Sequence, residues 1–262
     1  RPVPDEVMLL GACDPDQVIG TTNGRLMFHR TTLLDPGRVE LVEAPLRRAA
    51  ARTNLGQGER HGAPDPIAAV VERRARAIAA LGRPMATIEL RSQGAVVTGT
   101  GTGGVRDIGI ELHGTYGWPI IPGSTLRGVA REYARQMGEP VEEIFGSEPG
   151  TEPLVPGAVS FFDALPGPEG VKVVVHVLTP HTRGYRSDVP ADGRPQAPAE
   201  YINPVPIEFL AVEDGVFITH LLGPEPYLGD AVRLLMEAVK DLGVGAKTAA
   251  GYGYLDATRR PM

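Results

Sequence analysis

The chain has 262 residues, with 26 Lys and Arg against 32 Asp and Glu, a formal net charge of −6 at pH 7 and a sequence pI of about 5.6. Hydrophobic residues make up 42% and charged residues 22%, which excludes a disordered chain, a coiled coil and a collagen-like repeat. The acidic balance argues against a free-standing, non-specific nucleic-acid binder and leaves room for a local basic groove.

The single cysteine, Cys13, excludes an intramolecular disulfide and a structural zinc site built on thiolates. No apolar run approaches the roughly 18 residues that a bilayer crossing requires. We therefore expect a cytoplasmic protein with no membrane partner, no cofactor and no bound metal.

Residues 1–86 are predicted to form an irregular N-terminal segment, with a polar loop at 53–66 and one helix. The helix is expected over 67–81, where apolar residues recur on one side and Gly82 and Pro84 stop it. This segment is predicted to join a core over residues 87–262.

The core is predicted to begin with strands at 87–97 and 108–112. A helix follows from Pro122 to Gly138, because apolar residues recur along one face. That face consists of Leu126, Val129, Ala130, Tyr133, Ala134 and Met137.

Further strands are predicted at 158–164 and 171–178, the second with valines at every other position. A hairpin of 207–212 and 216–222, turned at Asp214–Gly215, follows. A helix over 227–242, capped by Gly243, and a strand over 251–257 close the core. The order β-α-β-β-α-β predicts an α+β, ferredoxin-like (RRM-like) fold: an antiparallel sheet backed by helices, with long loop insertions, one at about 181–204.

Two glycine-rich stretches are candidates for phosphate sites. Residues 99–104 satisfy the GxGxxG pattern, but residues 105–117 lack the helix that a dinucleotide site requires. Residues 243–253 are not a P-loop, because Ala246 precedes Lys247 where glycine is needed. Their glycines would let backbone amides reach phosphate oxygens, with Lys247 and Thr248 adding a charge and a hydroxyl; the alternative is a helix cap and tight turn.

Arginines recur every four residues on the helix after Pro122, opposite its apolar face: Arg127, Arg131 and Arg135. Such a stripe fits a phosphate backbone, and the alternative is a solvated face. Ser124 is interpreted as a capping residue of this helix, since a strand-to-helix nucleophile motif is lacking.

The insertion at 181–204 mixes hydrogen-bond donors with an aromatic ring, in His181, Arg183, Tyr185 and Arg186. This combination suits unstacked RNA bases, and the alternative is a solvated loop. His176 and His181 lack the helical spacing of a zinc protease motif, which disfavours a metal site.

Two motifs together resemble the RAMP superfamily of CRISPR proteins. They are Ile-Pro-Gly-Ser-Thr-Leu-Arg-Gly at 121–128 and Gly-Ala-Lys-Thr-Ala-Ala-Gly-Tyr-Gly-Tyr at 245–254. Further segments narrow the resemblance to the sixth-subunit family of Cmr-type (type III-B) effector complexes. These segments are 23–26, 113–122, 162–164, 178–181 and 203–210. The resemblance covers about residues 20–256.

The resemblance implies a non-catalytic CRISPR RNA-binding backbone subunit of an RNA-guided antiviral interference complex. Such a subunit holds the 3′ part of the guide RNA beside other RAMP subunits and meets target RNA only indirectly. The family's phosphate-contacting loop corresponds to residues 243–253, and its helix-opening motif to 122–131. The RNA-binding residues expected from the motifs and the resemblance are Ser124, Arg127, Arg131, His181, Arg183, Tyr185, Arg186, Gly245, Lys247, Thr248, Gly251, Tyr252 and Gly253.

Two alternatives remain open. One is a metal-independent endoribonuclease, which needs a base for the 2′-hydroxyl and a cation for the phosphorane; His29, His113 or His181 beside an arginine would serve. The other is an interaction module without RNA contact, which the acidic composition favours.

Overall fold

A computed structural model describes residues 64–99, 110–148, 150, 152–179 and 206–261. Its helices and strands, in chain order, are α1 (Pro64–Ala79), β1 (Met85–Ser92), α2 (Gly123–Met137), α3 (Glu142–Phe145), β2 (Ser160–Phe161), β3 (Leu165–Pro166), β4 (Lys172–Leu178), β5 (Ile207–Glu213), β6 (Val216–Leu222), α4 (Tyr227–Asp241) and β7 (Leu255–Arg260). The predictions for Cys13, His29, the glycine motif beyond Gly99, and the insertion with His181, Arg183, Tyr185 and Arg186 lie outside the described residues.

The main sheet is antiparallel, in the order β2-β6-β1-β7, with β3 also paired to β6. β1 lies between β6 and β7, with Met85 opposite Leu222 and Thr87 opposite Arg260. Chain order and sheet order together are those of a ferredoxin-like fold, in which the first and third strands are central. The predicted α+β class and antiparallel sheet are confirmed.

The predicted hairpin of 207–212 and 216–222 is wrong. β5 pairs with β4 in a separate two-stranded sheet, and β6 pairs with β1. Asp214, with φ 47, and Gly215 therefore carry the chain from one sheet to the other. Ser92 of β1 takes both backbone groups of Gly215: its N–H donates to the Gly215 carbonyl at 2.9 Å, and its hydroxyl accepts the Gly215 N–H at 2.8 Å. The third strand of the ferredoxin-like core is consequently β6, and the inserted pair is β4 with β5.

Several predicted strand bounds also change. The predicted 158–164 strand is reduced to β2 at Ser160–Phe161, and β3 follows just beyond it at Leu165–Pro166. Within 108–112, the described residues 110–112 form no strand, and Leu112 makes an isolated bridge with Pro119. The closing strand begins at Leu255 and not at residue 251, because Gly251 and Gly253 have φ of 88° and 86°, which a strand does not accommodate.

The core lies between the main sheet and the antiparallel helices α2 and α4. The predicted face of α2 is buried at Leu126, Ala130, Tyr133 and Ala134, whereas Met137, its last residue, is 58% exposed. The apolar pattern also predicted burial at two positions that are exposed. Val177 of β4 is 55% exposed, and Leu81, which follows the end of α1, is 60% exposed. Gly138 ends α2 in the left-handed conformation, as predicted.

Helix α1 is held to the sheet by Arg74. Its guanidinium donates to the carbonyl oxygens of Asp163 at 2.6 Å and Ile218 at 2.7 Å. Burial lowers the pKa of Arg74 to about 10, against the opposing effect of the Asp163 carboxylate. Among the helices of the described residues, none combines the length and apolar composition that a membrane crossing requires.

Candidate nucleic-acid interface

The glycine loop, residues 243–253, is fastened to the segment that follows β1. The Ala246 N–H donates to the Val97 carbonyl at 2.8 Å, and the Gly253 N–H donates to the Ala95 carbonyl at 2.9 Å. The Val244 N–H closes the loop on the Gly253 carbonyl at 2.8 Å. These bonds hold both ends of the loop in place, as a ligand site requires.

The positions of the loop that require glycine do so for different structural reasons. A Cβ on Gly245 would lie 2.1 Å from the Val97 oxygen, and one on Gly253 would lie 2.1 Å from the Val244 oxygen. The close approach at these two positions is therefore to the protein's own backbone. Gly251 has φ 88 and open space around its Cα, so a phosphate has room to approach there. Leu242, and not the predicted Gly243, is the C-cap of α4.

Lys247 lies at the turn of the loop in a left-handed conformation, with φ 62. Its ammonium group is 5.0 Å from the centroid of the Phe209 ring, a cation–π geometry that holds the charge near the surface. Thr248 begins a short 3-10 helix, Thr248–Ala250. The charge and hydroxyl predicted for this loop are therefore adjacent and half-buried.

A hydrogen-bonded chain lies beside the loop. Tyr252 Oη and His176 Nδ1 are 2.9 Å apart, and His176 Nε2 is 3.0 Å from Glu213 Oε1. Lys172 pairs with the other Glu213 oxygen at 3.6 Å. The rings of His176 and Tyr252 both pack on Phe209, with centroids 5.8 Å away. The inserted β4–β5 sheet is thus joined to the glycine loop by aromatic and polar contacts.

Sequence reasoning included Tyr252 in the candidate site but missed His176, Phe209 and Glu213. The sequence around His176 bears only on a metal site, and its partner Tyr252 is 76 residues away. His176 lies on β4, opposite Phe209, and Glu213 lies at the end of β5, opposite Lys172. Only a correct pairing of these two strands would have brought the side chains of His176 and Glu213 within hydrogen-bond distance.

The start of α2 is capped by a distant carboxylate. Asp163 Oδ1 accepts the Gly123 N–H at 2.7 Å. The predicted capping role of Ser124 is wrong: the N-cap position is Pro122, no side chain of the cap makes a hydrogen bond, and Ser124 is exposed. The reason is positional: Ser124 is the second residue of the helix, whereas a side chain that accepts from the first turn belongs at the N-cap position, which Pro122 occupies.

The arginine stripe of α2 is not uniform. Arg131 pairs with Glu148 at 3.5 Å, and its side chain is 16% exposed. Arg135 binds Glu132 within the helix at 2.7 Å, which lowers the pKa of Glu132 to about 2. Arg127 is exposed and lines a cavity of about 870 Å³ together with Ser124 and Phe161. Arg127 is therefore the stripe residue best placed to meet a ligand.

The two predicted motifs meet at one end of the sheet. Val97 binds the glycine loop through Ala246. Its neighbour Thr98 donates its hydroxyl to the carbonyl of Ile120 at 3.1 Å, two residues before the N-cap of α2. Adjacent residues of one segment thus hold the glycine loop and the start of the arginine-bearing helix.

Of the three histidines that could serve an endoribonuclease, His113 is the one within the described residues. Its environment does not suit a general base. Its Nδ1 accepts the N–H groups of Thr115 at 3.2 Å and Tyr116 at 3.4 Å. The neutral ring then carries its proton on Nε2, so the lone pair that would take a proton is already used. His29 and His181 lie outside the described residues.

The fold and the two motifs agree with the comparison to protein families. The model of the RAMP superfamily matches residues 89–256, and the chain belongs to this superfamily. Within it, the chain is similar to Cmr6 subunits of the CRISPR Cmr system.

Two curated relatives carry that name. The chain is 28% identical over 229 residues to CRISPR system Cmr subunit Cmr6 of Pyrococcus furiosus, covering 64% of this chain and 67% of that protein. It is 28% identical over 158 residues to the Cmr6 subunit of Saccharolobus solfataricus, covering 59% of this chain and 50% of that protein. The chain therefore spans about half of the second relative's length.

A solved structure shares the fold. A chain in the cryo-EM structure of a type III-B Cmr-beta complex bound to cognate target RNA matches with a TM-score of 0.58 and 24% identity. The match covers 73% of this chain and 65% of that one.

Proposed function

We propose that this chain is a non-catalytic, RNA-binding backbone subunit of a type III-B (Cmr-type) RNA-guided interference complex in the cytoplasm. Its similarity to Cmr6 subunits supports a place in such a complex. Its partners there are the CRISPR guide RNA and other RAMP subunits, with target RNA met through the guide. As the RAMP resemblance implies, the subunit holds the 3′ part of the guide.

The observation that carries the proposal is the construction of the glycine loop. The loop is held at both ends by the 95–97 segment and presents Lys247, Thr248 and the open side of Gly251 in succession. A fixed backbone with one cation and one hydroxyl suits a phosphate and does not distinguish bases. Such a contact fits a subunit that must hold any guide sequence.

The start of α2 supplies a second contact in this proposal. The N-terminal end of a helix favours anions, and exposed Arg127 lies in its first two turns. Ser124 and Arg131 complete the contact from α2. Because Thr98 and Val97 tie α2 and the glycine loop to adjacent residues, one strand of RNA is expected to meet both. The acidic composition is consistent with neighbouring subunits completing the groove.

The test uses the full chain co-expressed with the guide RNA and the other subunits of its own system. Sequencing of the RNA that co-purifies should show guide RNAs enriched. Lys247→Ala should weaken guide binding about equally for all guide sequences and reduce the salt slope by about one unit. Lys240→Ala is the matched control, since Lys240 is an exposed lysine on α4. Equal guide affinity and salt slope in Lys247→Ala and Lys240→Ala would remove the loop from the RNA site.

A further inference from the structure

We propose that Tyr252 distinguishes RNA from DNA by accepting a hydrogen bond from a ribose 2′-hydroxyl, and that His176 and Glu213 position its phenol oxygen for this contact. The proposal rests on the proposed function, because it assumes that the glycine loop meets the guide. It adds a specificity-determining residue, Tyr252, and two positioning residues outside the loop.

The direction of the hydrogen bonds follows from the chemistry of the three groups. A carboxylate only accepts, so when the His176 ring is neutral its one proton is on Nε2, 3.0 Å from Glu213 Oε1. Nδ1 of His176 then has a lone pair and accepts the Tyr252 O–H across 2.9 Å. The phenol proton is thereby directed at His176. The oxygen of Tyr252 keeps its lone pairs for a donor that approaches from outside.

The ring of Tyr252 is held from two sides. Its centroid is 5.6 Å from that of His176, nearly edge-on at 64°, and 5.8 Å from that of Phe209, at 62°. Phe209 is fully buried, whereas the His176 side chain is 24% exposed. The cluster therefore extends from a fixed apolar base to the surface, which orients the phenol without burying it completely.

A cation lies within reach of the same nucleotide. Lys247 and Tyr252 both contact the Phe209 ring, and the Tyr252 N–H donates to the Lys247 carbonyl at 3.3 Å. A phosphate held by Lys247 would place the attached ribose beside Tyr252. The 2′-hydroxyl supplies a donor that deoxyribose lacks, which is how a protein recognises RNA at a given position.

The expected size of the effect is modest. One hydrogen bond to a partly exposed acceptor corresponds to about a three- to tenfold change in affinity. The experiment uses the complex assembled with the full chain and guides that carry a single 2′-deoxy nucleotide, moved stepwise through the 3′ part. One position should show this loss with the wild-type chain. A 2′-O-methyl nucleotide at that position should show it too, because it also lacks the donor.

Variants then assign the effect to the side chains. Tyr252→Phe should remove the difference between ribose and deoxyribose guides by lowering the affinity for the ribose guide. His176→Phe keeps a ring but loses the acceptor, so it should behave in the same way. His176→Asn places an oxygen near the position of Nδ1 and should restore discrimination. Tyr254→Phe is the matched control, with a tyrosine two residues along the chain, and should change nothing.

The outcomes separate this inference from the proposed function. If Lys247→Ala weakens ribose and deoxyribose guides alike while Tyr252→Phe keeps the full 2′-deoxy penalty, only the role of Tyr252 is overturned. If neither variant changes guide affinity, the loop does not bind RNA and both proposals fail. The wild-type measurement needs no variant: a complex that tolerates 2′-deoxy nucleotides at every position also overturns the inference.

Discussion

The carbonyl oxygen of Val97 accepts the N–H of Ala246 at 2.8 Å, and this is one of the bonds that hold the glycine loop against the segment that follows β1. The same oxygen lies 2.1 Å from the place where a Cβ on Gly245 would be. The loop is therefore packed so closely on the segment after β1 that one of its glycines is required by the fold itself.

Gly245→Ala should lower the free energy of unfolding by about 2 to 5 kcal/mol, because a side chain is both strained at φ 82 and in collision with Val97. Gly251→Ala is the control, with φ 88 but open space, and should cost about 1 to 2 kcal/mol. Urea denaturation of the two proteins measures the difference. In the assembled complex, Gly251→Ala should also weaken guide binding, because its methyl group occupies the side proposed for phosphate.

Asp163→Ala should destabilise the chain by about 0.5 to 2 kcal/mol, since the carboxylate that accepts the Gly123 N–H is lost. Asp163→Asn retains an oxygen at that place but lacks the charge that offsets the burial of Arg74, so it should recover only part of the loss. The bond from Arg74 to residue 163 uses the backbone carbonyl, so it should survive both changes. Equal stability of the wild type and Asp163→Ala in urea denaturation would mean that α2 does not depend on this cap.

Arg127→Ala combined with Arg131→Ala should lower the melting temperature only modestly. Arg127 is exposed, whereas Arg131, with a side chain 16% exposed, loses packing and an ion pair with Glu148, and such a pair contributes about 0 to 1 kcal/mol. Assembly on guide RNA should weaken. Arg135→Ala is the control on the same helix, since Arg135 is engaged with Glu132. Native gel shifts of the assembled complex measure the effect. Full assembly by the double variant would show that the arginine stripe is a solvated face without a role in RNA binding.

Stability should fall between pH 6.5 and pH 4 through His220. Burial, and then the charge of Arg74, lower the pKa of His220 from 6.5 to about 4, and the side chain is 1% exposed. Between these two pH values, His220 is therefore protonated in the unfolded chain and neutral in the folded chain. The stabilisation is complete above pH 6.5 and is lost as the pH falls through this window, by about 3 kcal/mol in all.

His220→Gln cannot titrate and should show a flatter pH dependence of the unfolding free energy over that window. Parallel curves for the wild type and the variant would contradict the assignment. Measurements above pH 4.5 avoid the separate contribution of Glu132, whose pKa is lowered to about 2 by its hydrogen bonds to Arg135 and Gln136.

The chain alone should not cleave repeat RNA or a guide–target duplex, with or without Mg²⁺. His113 has its Nδ1 lone pair occupied by backbone N–H groups, so it is a poor base for a 2′-hydroxyl. Labelled RNA resolved on denaturing gels measures this. Cleavage by the wild-type chain that is lost in His113→Ala would contradict the non-catalytic proposal and favour a metal-independent endoribonuclease.

Patterns local in sequence predicted much of this fold. The periodicity of α2 and α4 indicated two amphipathic helices, and Gly138 indicated where α2 ends, because helical spacing and capping depend on residues within a few positions of one another. The two motifs at 121–128 and 245–254 identified the RAMP superfamily in the same way. The sequence also placed Lys247, Thr248 and Tyr252 in one candidate site.

Strand pairing and long-range contacts were decided only by the tertiary structure. An Asp-Gly turn between two apolar runs is typical of a hairpin, yet β5 pairs with β4 and β6 with β1, because both runs are buried in different sheets. The Asp163 cap of Gly123 spans 40 residues and the His176–Tyr252 bond spans 76. In neither pair does the sequence around one residue indicate which residue it will contact. Their meeting depends on which strands share a sheet, a choice made by burial over the whole chain and not by any local pattern.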